Sequence, residues 1–184
     1  RQLGDFPIIG INKEFDGNGE PDVSVPQVFI TPSYESAREA ILAGADIIAL
    51  DCNSYPFRPF HELCALLQRI RKDFPDVAIM ADLITAEEGI RLAETGLADI
   101  LSTTLSGLNP EKKNDDPDYE MIRRLKAATS LPVNAEGGIW EPAQYEKCLE
   151  AGADMVTIGT AITRPHLITA RFVQCHKAWK QSER

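Results

Sequence analysis

Apolar runs and helix-patterned stretches alternate along the whole chain. Three of the runs follow a turn built around glycine and Ala-Asp, and the other three follow a proline. Because each run is separated from the next by a helical stretch, the pattern predicts parallel strands joined by helical crossovers. The six predicted strands lie at about residues 7–12, 46–51, 77–82, 99–104, 131–136 and 154–159.

The intervening stretches carry apolar residues at one-turn spacing, which is typical of helices that pack one face on a sheet. The clearest stripes are Leu63-Leu66-Leu67-Ile70, Tyr119-Ile122-Leu125 and, in the last helix, Ile168-Phe172-Cys175-Trp179. Capping and proline signals predict where helices begin, and glycines predict where they end in a left-handed residue. The predicted starts are at Thr85, Pro142 and Pro165, and the predicted ends are at Gly44, Gly96 and Gly152.

Two folds accommodate six parallel strands. A doubly wound open sheet would carry a G-x-G-x-x-G fingerprint after its first strand, and Gly10-Ile11-Asn12-Lys13 does not match it. The pattern therefore favours a (β/α)8 TIM barrel of the ribulose-phosphate-binding type, present as about six βα units in a single domain, residues 1–184. We expect this barrel to be N-terminally incomplete, without its first two units. Exposed edges at 7–12 and 154–159 would then pair with another chain, so we expect a homodimer.

Composition narrows the function classes. The chain has 28 Asp and Glu but only 19 Lys and Arg, so its net charge is -9. This charge argues against nucleic acid and anionic membrane as partners. No apolar run is long enough to cross a bilayer, and no signal-peptide pattern is present. The four cysteines are scattered, so they predict neither a zinc site nor disulfides. We expect a cytoplasmic protein that acts on a small molecule.

Polar and ionisable side chains follow the apolar runs at almost every predicted strand end. In a barrel these ends converge on one mouth, where the active sites of this fold lie. A lysine that faces carboxylates there either forms a Schiff base with a carbonyl substrate or moves a proton next to a carbonyl. The loops at 14–25 and 108–116 are expected to be mobile parts of the rim. The strand-end residues are Lys13, Asp51, Asp82, Thr103 with Thr104, Glu136, and Gly159 with Thr160.

Glycines after the last two predicted strands indicate a phosphate site. Gly137 and Gly138 follow the fifth strand, and Gly159 and Thr160 follow the sixth. If these are strands seven and eight of a barrel, phosphate commonly binds there, at main-chain N–H groups and a helix N-terminus. Arg164 would add a charge-assisted contact.

Each of these residues also has an explanation without chemistry. Lys13 is equally compatible with an exposed lysine at a strand end, and Asp51 with a loop cap or a partner of Arg58. Asp82 fits an anion at the start of the next helix. Glycine pairs also serve tight turns. Glu136 is the hardest to explain otherwise, since a carboxylate directly after a strand would lie in the barrel mouth.

The strand ends also match a known family. Over nearly its whole length the chain resembles the N-acetylmannosamine-6-phosphate 2-epimerase family. The most specific matches are the strings Thr-Thr-Leu-Ser-Gly at 103–107 and Ala-Ile-Thr-Arg-Pro at 161–165. Further matching stretches are residues 7–11 with Lys13, 28–32, 43–51, 58–59, 80–82, 117–120, 135–137 and 159–160.

The resemblance implies a (β/α)8 isomerase that interconverts N-acetylmannosamine 6-phosphate and N-acetylglucosamine 6-phosphate in sialic acid and amino sugar catabolism, with no metal and no redox cofactor. It implies that Lys13 removes and returns the C2 proton, and that Glu136 is the partner carboxylate that orients the substrate. The other implied contacts are Asp82, Thr104 and Arg164 to the substrate, and Gly137, Gly138, Gly159 and Thr160 to its phosphate.

Three differences from the family are visible in the sequence. Family members carry two further βα units before the point where this chain starts. They usually have Arg-Asp-Tyr after the lysine, where this chain has Glu14-Phe15, and often Arg or Asn at the position of Gly138. Two alternatives therefore stay open, a lysine Schiff-base aldolase acting on a sugar phosphate and a non-catalytic degenerate barrel.

Overall fold

A parallel sheet organises the molecule, as the alternating pattern predicts. The structure is a computed structural model that describes residues 4–15, 28–53 and 58–182. Its strands are β1 (Ile9–Gly10), β2 (Lys13–Phe15), β3 (Val28–Ile30), β4 (Ile47–Asp51), β5 (Ala78–Asp82), β6 (Ile100–Ser102), β7 (Val133–Glu136) and β8 (Met155–Thr157). One sheet has the order β1-β4-β5-β6-β7-β8, with parallel pairing throughout. All six strands fall within the predicted ranges, and β1 and β8 are its two edges, as expected.

A short antiparallel hairpin is the main departure from the predicted elements. The strands β2 and β3 pair so that Lys13 faces Ile30 and Phe15 faces Val28. Lys13 therefore opens a strand of its own instead of ending β1. The predicted rim loop at 14–25 is wrong for Glu14 and Phe15, which belong to β2, and its remainder lies outside the described residues.

Helices follow the sheet strands at the places where the sequence predicts them. The Thr85 hydroxyl caps the third helix by accepting a hydrogen bond from the Glu88 N–H. Left-handed backbone at Gly44, Gly96 and Gly152 turns the chain after the first, third and fifth helices, as predicted. The helices are α1 (Tyr34–Leu42), α2 (Phe60–Asp73), α3 (Ala86–Ala93), α4 (Tyr119–Ala128), α5 (Pro142–Glu150), α6 (Thr160–Thr163) and α7 (Pro165–Ser182), with a 3-10 turn at Ser106–Leu108.

The two faces of the sheet have different chemistry. Alternate residues such as Ile48, Ile79 and Leu101 pack against the helices and form the main core. The opposite, inner face is apolar at its lower end, where Met80 and Ile100 lie in a small separate cluster. Towards the carboxyl ends of the strands the inner face becomes polar. This change of polarity places the chemistry at one end of the sheet.

The last helix has the predicted start but not the predicted burial. Its apolar stripe is largely open to solvent, with Phe172 at 75% and Trp179 at 53% exposure. The predicted packing of this face on the sheet is therefore wrong for the chain by itself. No helix in the described part of the chain is long and apolar enough to span a membrane.

Candidate active site

Four neighbouring strands contribute a polar layer to the inner face of the sheet. Ladder register sets Asp82 on β5 beside Ser102 on β6, and Ser102 beside Asn134 on β7. Thr157 on β8 faces Glu136, two residues beyond Asn134. Because side chains two residues apart on a strand share a face, Asn134 and Glu136 point to the same side. The layer thus lies directly below the predicted catalytic carboxylate.

The half-buried Glu136 is held by two donors at the same oxygen atom. Its Oε2 lies 3.3 Å from the Thr104 hydroxyl and 3.4 Å from the Asn134 amide nitrogen. Its main chain is fixed separately by Thr103, whose hydroxyl accepts from the Glu136 N–H at 3.0 Å and donates to the Glu136 carbonyl at 2.9 Å. Oε1 has no hydrogen-bond partner among the described residues, so it is the oxygen left to meet a ligand.

Asn134 is the central member of the polar layer. It is completely buried. Its amide nitrogen donates to the Ser102 hydroxyl at 2.9 Å, and its amide oxygen accepts from the Thr157 hydroxyl at 2.9 Å. Both hydroxyls can donate or accept, so the orientation of the amide is determined by a third contact, the ionised Glu136 carboxylate, which only accepts and therefore faces the amide nitrogen.

Asp82 is a carboxyl group that keeps its proton at neutral pH. It is 2% exposed, and burial raises its pKa to about 8, with the nearby carboxylates of Glu136 and Asp51 adding to the rise. The Thr104 hydroxyl lies 2.7 Å from its Oδ1. When the carboxyl directs its own proton to Thr104, the Thr104 proton is free to bond Glu136. Asp82 thus lies behind Thr104, and its predicted contact with substrate hydroxyls stays a prediction.

Lys13 acts on Glu136 through space. Burial raises the pKa of Glu136, the hydrogen bonds from Thr104 and Asn134 lower it, and the positive charge of Lys13 lowers it further. The Lys13 side chain is exposed at the start of β2, and it makes no salt bridge with Glu136 in the described part of the chain. The structure therefore places the amine within electrostatic reach of the carboxylate without direct contact.

A cavity of about 150 Å³ lies beside Glu136. It brings together six of the nine predicted site residues, since both predicted phosphate loops form its wall. Lys13, Asp82 and Arg164 do not line it. The lining is Thr104, Glu136, Gly137, Gly138, Ile139, Trp140, Thr157, Gly159 and Thr160.

The glycines of the cavity wall present main-chain donors. In the described residues, the N–H groups of Gly137, Gly138 and Gly159 donate no hydrogen bond. Gly138 has a second reason to be glycine, because its φ is 75° and an added Cβ would lie 2.3 Å from the Asp115 carbonyl oxygen. The 108–116 segment therefore packs main chain against main chain at the cavity rim.

Arg164 and Asp51 occupy less central positions than the sequence predicts. Arg164 is exposed at the end of α6, and its predicted phosphate contact stays a prediction. Asp51 accepts hydrogen bonds from the Asn53 N–H at 3.0 Å and from the Asn53 side chain at 2.7 Å. It is thus a loop cap, and Arg58 instead donates to the Pro32 carbonyl.

The site predicted from the sequence does not include Asn134, Ser102 or Thr157. Each stands inside a predicted strand, where polar residues of moderate β-propensity pass as ordinary members. A signal was available, because Asn134 lies two residues before Glu136 and a polar residue on a buried inner face needs partners.

A larger groove of about 780 Å³ lies between the 109–114 segment and the starts of α3 and α4. It contains none of the predicted site residues, so size alone does not identify the site. Among the described residues, no group of three His, Cys, Asp or Glu side chains is arranged to hold a metal ion. The prediction of a metal-free reaction stays a prediction.

Comparisons with known proteins agree on one family. A family model described as "Putative N-acetylmannosamine-6-phosphate epimerase" matches residues 1–178. One relative is the "Putative N-acetylmannosamine-6-phosphate 2-epimerase" of Caldanaerobacter subterraneus subsp. tengcongensis. It is 43% identical over 173 residues, which are 91% of this chain and 68% of that protein. A second one from Cutibacterium acnes is 38% identical over 169 residues, or 90% of this chain and 69% of that protein.

Solved structures give the same fold. The N-acetylmannosamine-6-phosphate 2-epimerase from Clostridium perfringens is 34% identical, with a TM-score of 0.79 over 95% of this chain and 72% of that chain. A thiamine phosphate pyrophosphorylase from Pyrococcus furiosus is 21% identical, with a TM-score of 0.50 over 68% of this chain and 55% of that chain, and shows the fold alone. The (β/α)8 fold class is therefore confirmed, with about six βα units.

Proposed function

Because this chain belongs to the N-acetylmannosamine-6-phosphate epimerase family, we propose that it interconverts N-acetylmannosamine 6-phosphate and N-acetylglucosamine 6-phosphate. This is the activity of an N-acylglucosamine-6-phosphate 2-epimerase in amino sugar catabolism. The observation that carries the proposal is the Glu136 carboxylate opening on a glycine-walled cavity, close enough to Lys13 for its pKa to respond to the amine.

The cavity supports binding of the phosphate group. Gly137, Gly138 and Gly159 line it with main-chain N–H groups that donate no hydrogen bond among the described residues, and main-chain N–H groups bind phosphate without adding bulk. The Thr160 side chain adds a hydroxyl at the start of α6. Anchoring the phosphate there would hold the sugar over Glu136, so that the reaction becomes effectively intramolecular.

The proposed chemistry is proton transfer at C2. Opening of the sugar ring produces an aldehyde next to C2, which makes the C2 proton acidic. Lys13 in its uncharged form removes this proton, and the electron pair moves into an enolate whose oxygen needs hydrogen-bond donors. Glu136 orients the open-chain sugar through Oε1, and return of a proton to the other face of C2 inverts the centre.

The test incubates this chain with each sugar phosphate in a separate reaction and follows both sugar phosphates by proton NMR. We expect each substrate to convert to the same equilibrium mixture. Sodium borohydride added with substrate separates the aldolase alternative, because reduction of a Schiff base would attach the sugar covalently to the lysine. Covalent labelling with carbon–carbon cleavage would replace the epimerase proposal by the aldolase, and binding without conversion would favour the non-catalytic barrel.

A further inference from the structure

The inner-face layer beneath Glu136 contains a buried amide that the proposed reaction does not itself use. Asn134 is fully buried, although burying an amide is unfavourable unless its hydrogen bonds are made. Its amide makes bonds to three strands, to Ser102 on β6, to Thr157 on β8 and to Glu136 on its own strand β7. Its nitrogen also lies 3.9 Å from the Met80 sulfur on β5.

We infer that Asn134 is a positioning residue for Glu136, with an amide fixed by Thr157 and Ser102 that holds Oε2 and leaves Oε1 for the substrate. The inference rests on the proposed function of Glu136. It adds a role to a residue that does not line the cavity.

The direction of the amide gives the inference its chemical content. Since an ionised Glu136 carboxylate only accepts, the amide nitrogen must face it, and the amide oxygen is left to accept from Thr157. A rotated amide would set two oxygens against each other at Glu136. The Thr157 hydroxyl, on the cavity wall, holds the amide in this orientation by bonding its oxygen.

Asn134 also favours the ionised form of Glu136. A hydrogen bond donated to a carboxylate stabilises the charged form, and here it opposes the effect of burial. The other groups that face this carboxyl are the Thr104 hydroxyl, the charge of Lys13 on β2 and the carboxyl of Asp82 on β5. The distance of 3.4 Å from the Asn134 amide nitrogen to Glu136 Oε2 is long for a hydrogen bond. Such lengths are common for active-site hydrogen bonds that tighten when substrate binds.

The experiment compares three near-isosteric variants of the full chain. Asn134→Leu removes the amide, and Thr157→Val removes only the hydroxyl that orients it. Thr103→Val is the matched control, because Thr103 bonds the main chain of Glu136 and not its carboxylate. The readouts are kcat and KM for N-acetylmannosamine 6-phosphate, the pKa of the Glu136 carboxyl from carbon-13 NMR across pH, and the thermal midpoint of each variant.

We expect Asn134→Leu to lower kcat about tenfold or more while KM changes little, because the phosphate contacts come from other loops. The pKa of the Glu136 carboxyl should move to higher pH, by about half a unit to one unit. Thr157→Val should move it in the same direction by less. Thr103→Val should lower the thermal midpoint without moving the pKa of Glu136.

The failures are distinguishable. Absence of turnover by the unmodified chain would contradict the proposed function. Turnover with an unmoved pKa of Glu136 in Asn134→Leu, or equal shifts of this pKa in Asn134→Leu and Thr103→Val, would overturn the positioning role. If Asn134→Leu does not fold, Thr157→Val decides the question, since an unmoved pKa of Glu136 there would equally overturn it.

Discussion

At the scale of single residues, the site depends on how far burial shifts the protonation of its carboxyl groups. Glu136 and Asp82 are both carboxyl groups on the inner face, and burial raises the pKa of both. They differ in access, because Glu136 lines the cavity and Asp82 is 2% exposed. This difference separates a carboxylate that can meet substrate from an acid that supports it through Thr104.

The proton on Asp82 predicts a characteristic pH dependence of stability. Its pKa is 3.8 when unperturbed and about 8 in the folded protein, so between these values the unfolded chain releases a proton that the folded protein keeps. The free energy of unfolding should therefore fall as pH rises through this window. The Asn side chain of Asp82→Asn cannot ionise. The thermal midpoint of this variant should therefore rise relative to that of the unmodified chain as pH increases from about 5 to about 9.

Asp154→Asn is the control of opposite sign. The Lys126 side chain and the Val133 N–H lower the pKa of Asp154, so the stability it contributes is complete above its unperturbed pKa and is lost only in acid. Its thermal midpoint should differ from that of the unmodified chain by a constant amount over the same range. A constant difference for Asp82→Asn as well would show that Asp82 is ionised in the folded protein.

Gly138 gives a second test at this scale. Its φ of 75° is close to the 67° of Gly96, but only Gly138 lies against main chain, with the Asp115 carbonyl oxygen 2.3 Å from an added Cβ. Gly138→Ala should therefore lower the free energy of unfolding by about 1–3 kcal/mol more than Gly96→Ala does. Chemical denaturation of both variants measures this difference. Equal losses would mean that the 108–116 segment does not press on the cavity turn.

At the scale of elements, the parallel strands could be predicted because each one is a short apolar run between a helix end and a polar strand end. The hairpin could not, because β2 begins with Lys13-Glu14 and pairs with residues 28–30, a partner that local periodicity does not indicate. The last helix shows the opposite case. Its apolar period predicted the helix but not which surface would cover it.

Thr31 connects the hairpin to the sheet. It is buried with a positive φ of 47°, which is uncommon for a β-branched residue and marks a position fixed by its surroundings. Its hydroxyl donates to the Ala49 carbonyl on β4 at 2.7 Å and accepts from the Asn12 N–H at 3.1 Å. Asn12 directly precedes Lys13, so Thr31 sets where the amine stands relative to the sheet.

Thr31→Val should therefore affect catalysis as well as stability. The variant keeps the branched shape and leaves the buried Ala49 carbonyl without its donor, which should cost about 1–3 kcal/mol of unfolding free energy. We expect kcat to fall more than KM rises, because the loosened hairpin carries Lys13 and not the phosphate loops. Thr31→Ser keeps the hydroxyl and is the control. Equal kcat values for the two variants would dissociate Thr31 from the placement of Lys13.

At the scale of the whole molecule, the chain combines a polar strand-end site with edges and a helix face that are open to solvent. Phe6, Ile162 and Phe172 are among the most exposed apolar side chains, and β1 and β8 are edge strands. These surfaces motivate the homodimer, which stays a prediction. The site itself was predicted through Glu136 and the glycine turns, whereas the buried network that supports it required the register between strands.

The role of Lys13 as the base at C2 is tested most directly by deuterium incorporation at C2 of N-acetylmannosamine 6-phosphate in heavy water. We compare the unmodified chain with Lys13→Ala and with Lys147→Ala, an exposed lysine on α5 outside the cavity. We expect rapid exchange in the unmodified chain and in Lys147→Ala, and a loss of about 10²–10⁴-fold in Lys13→Ala, since a general base is worth that much. Equal exchange in Lys13→Ala and the unmodified chain would rule out Lys13 as the base.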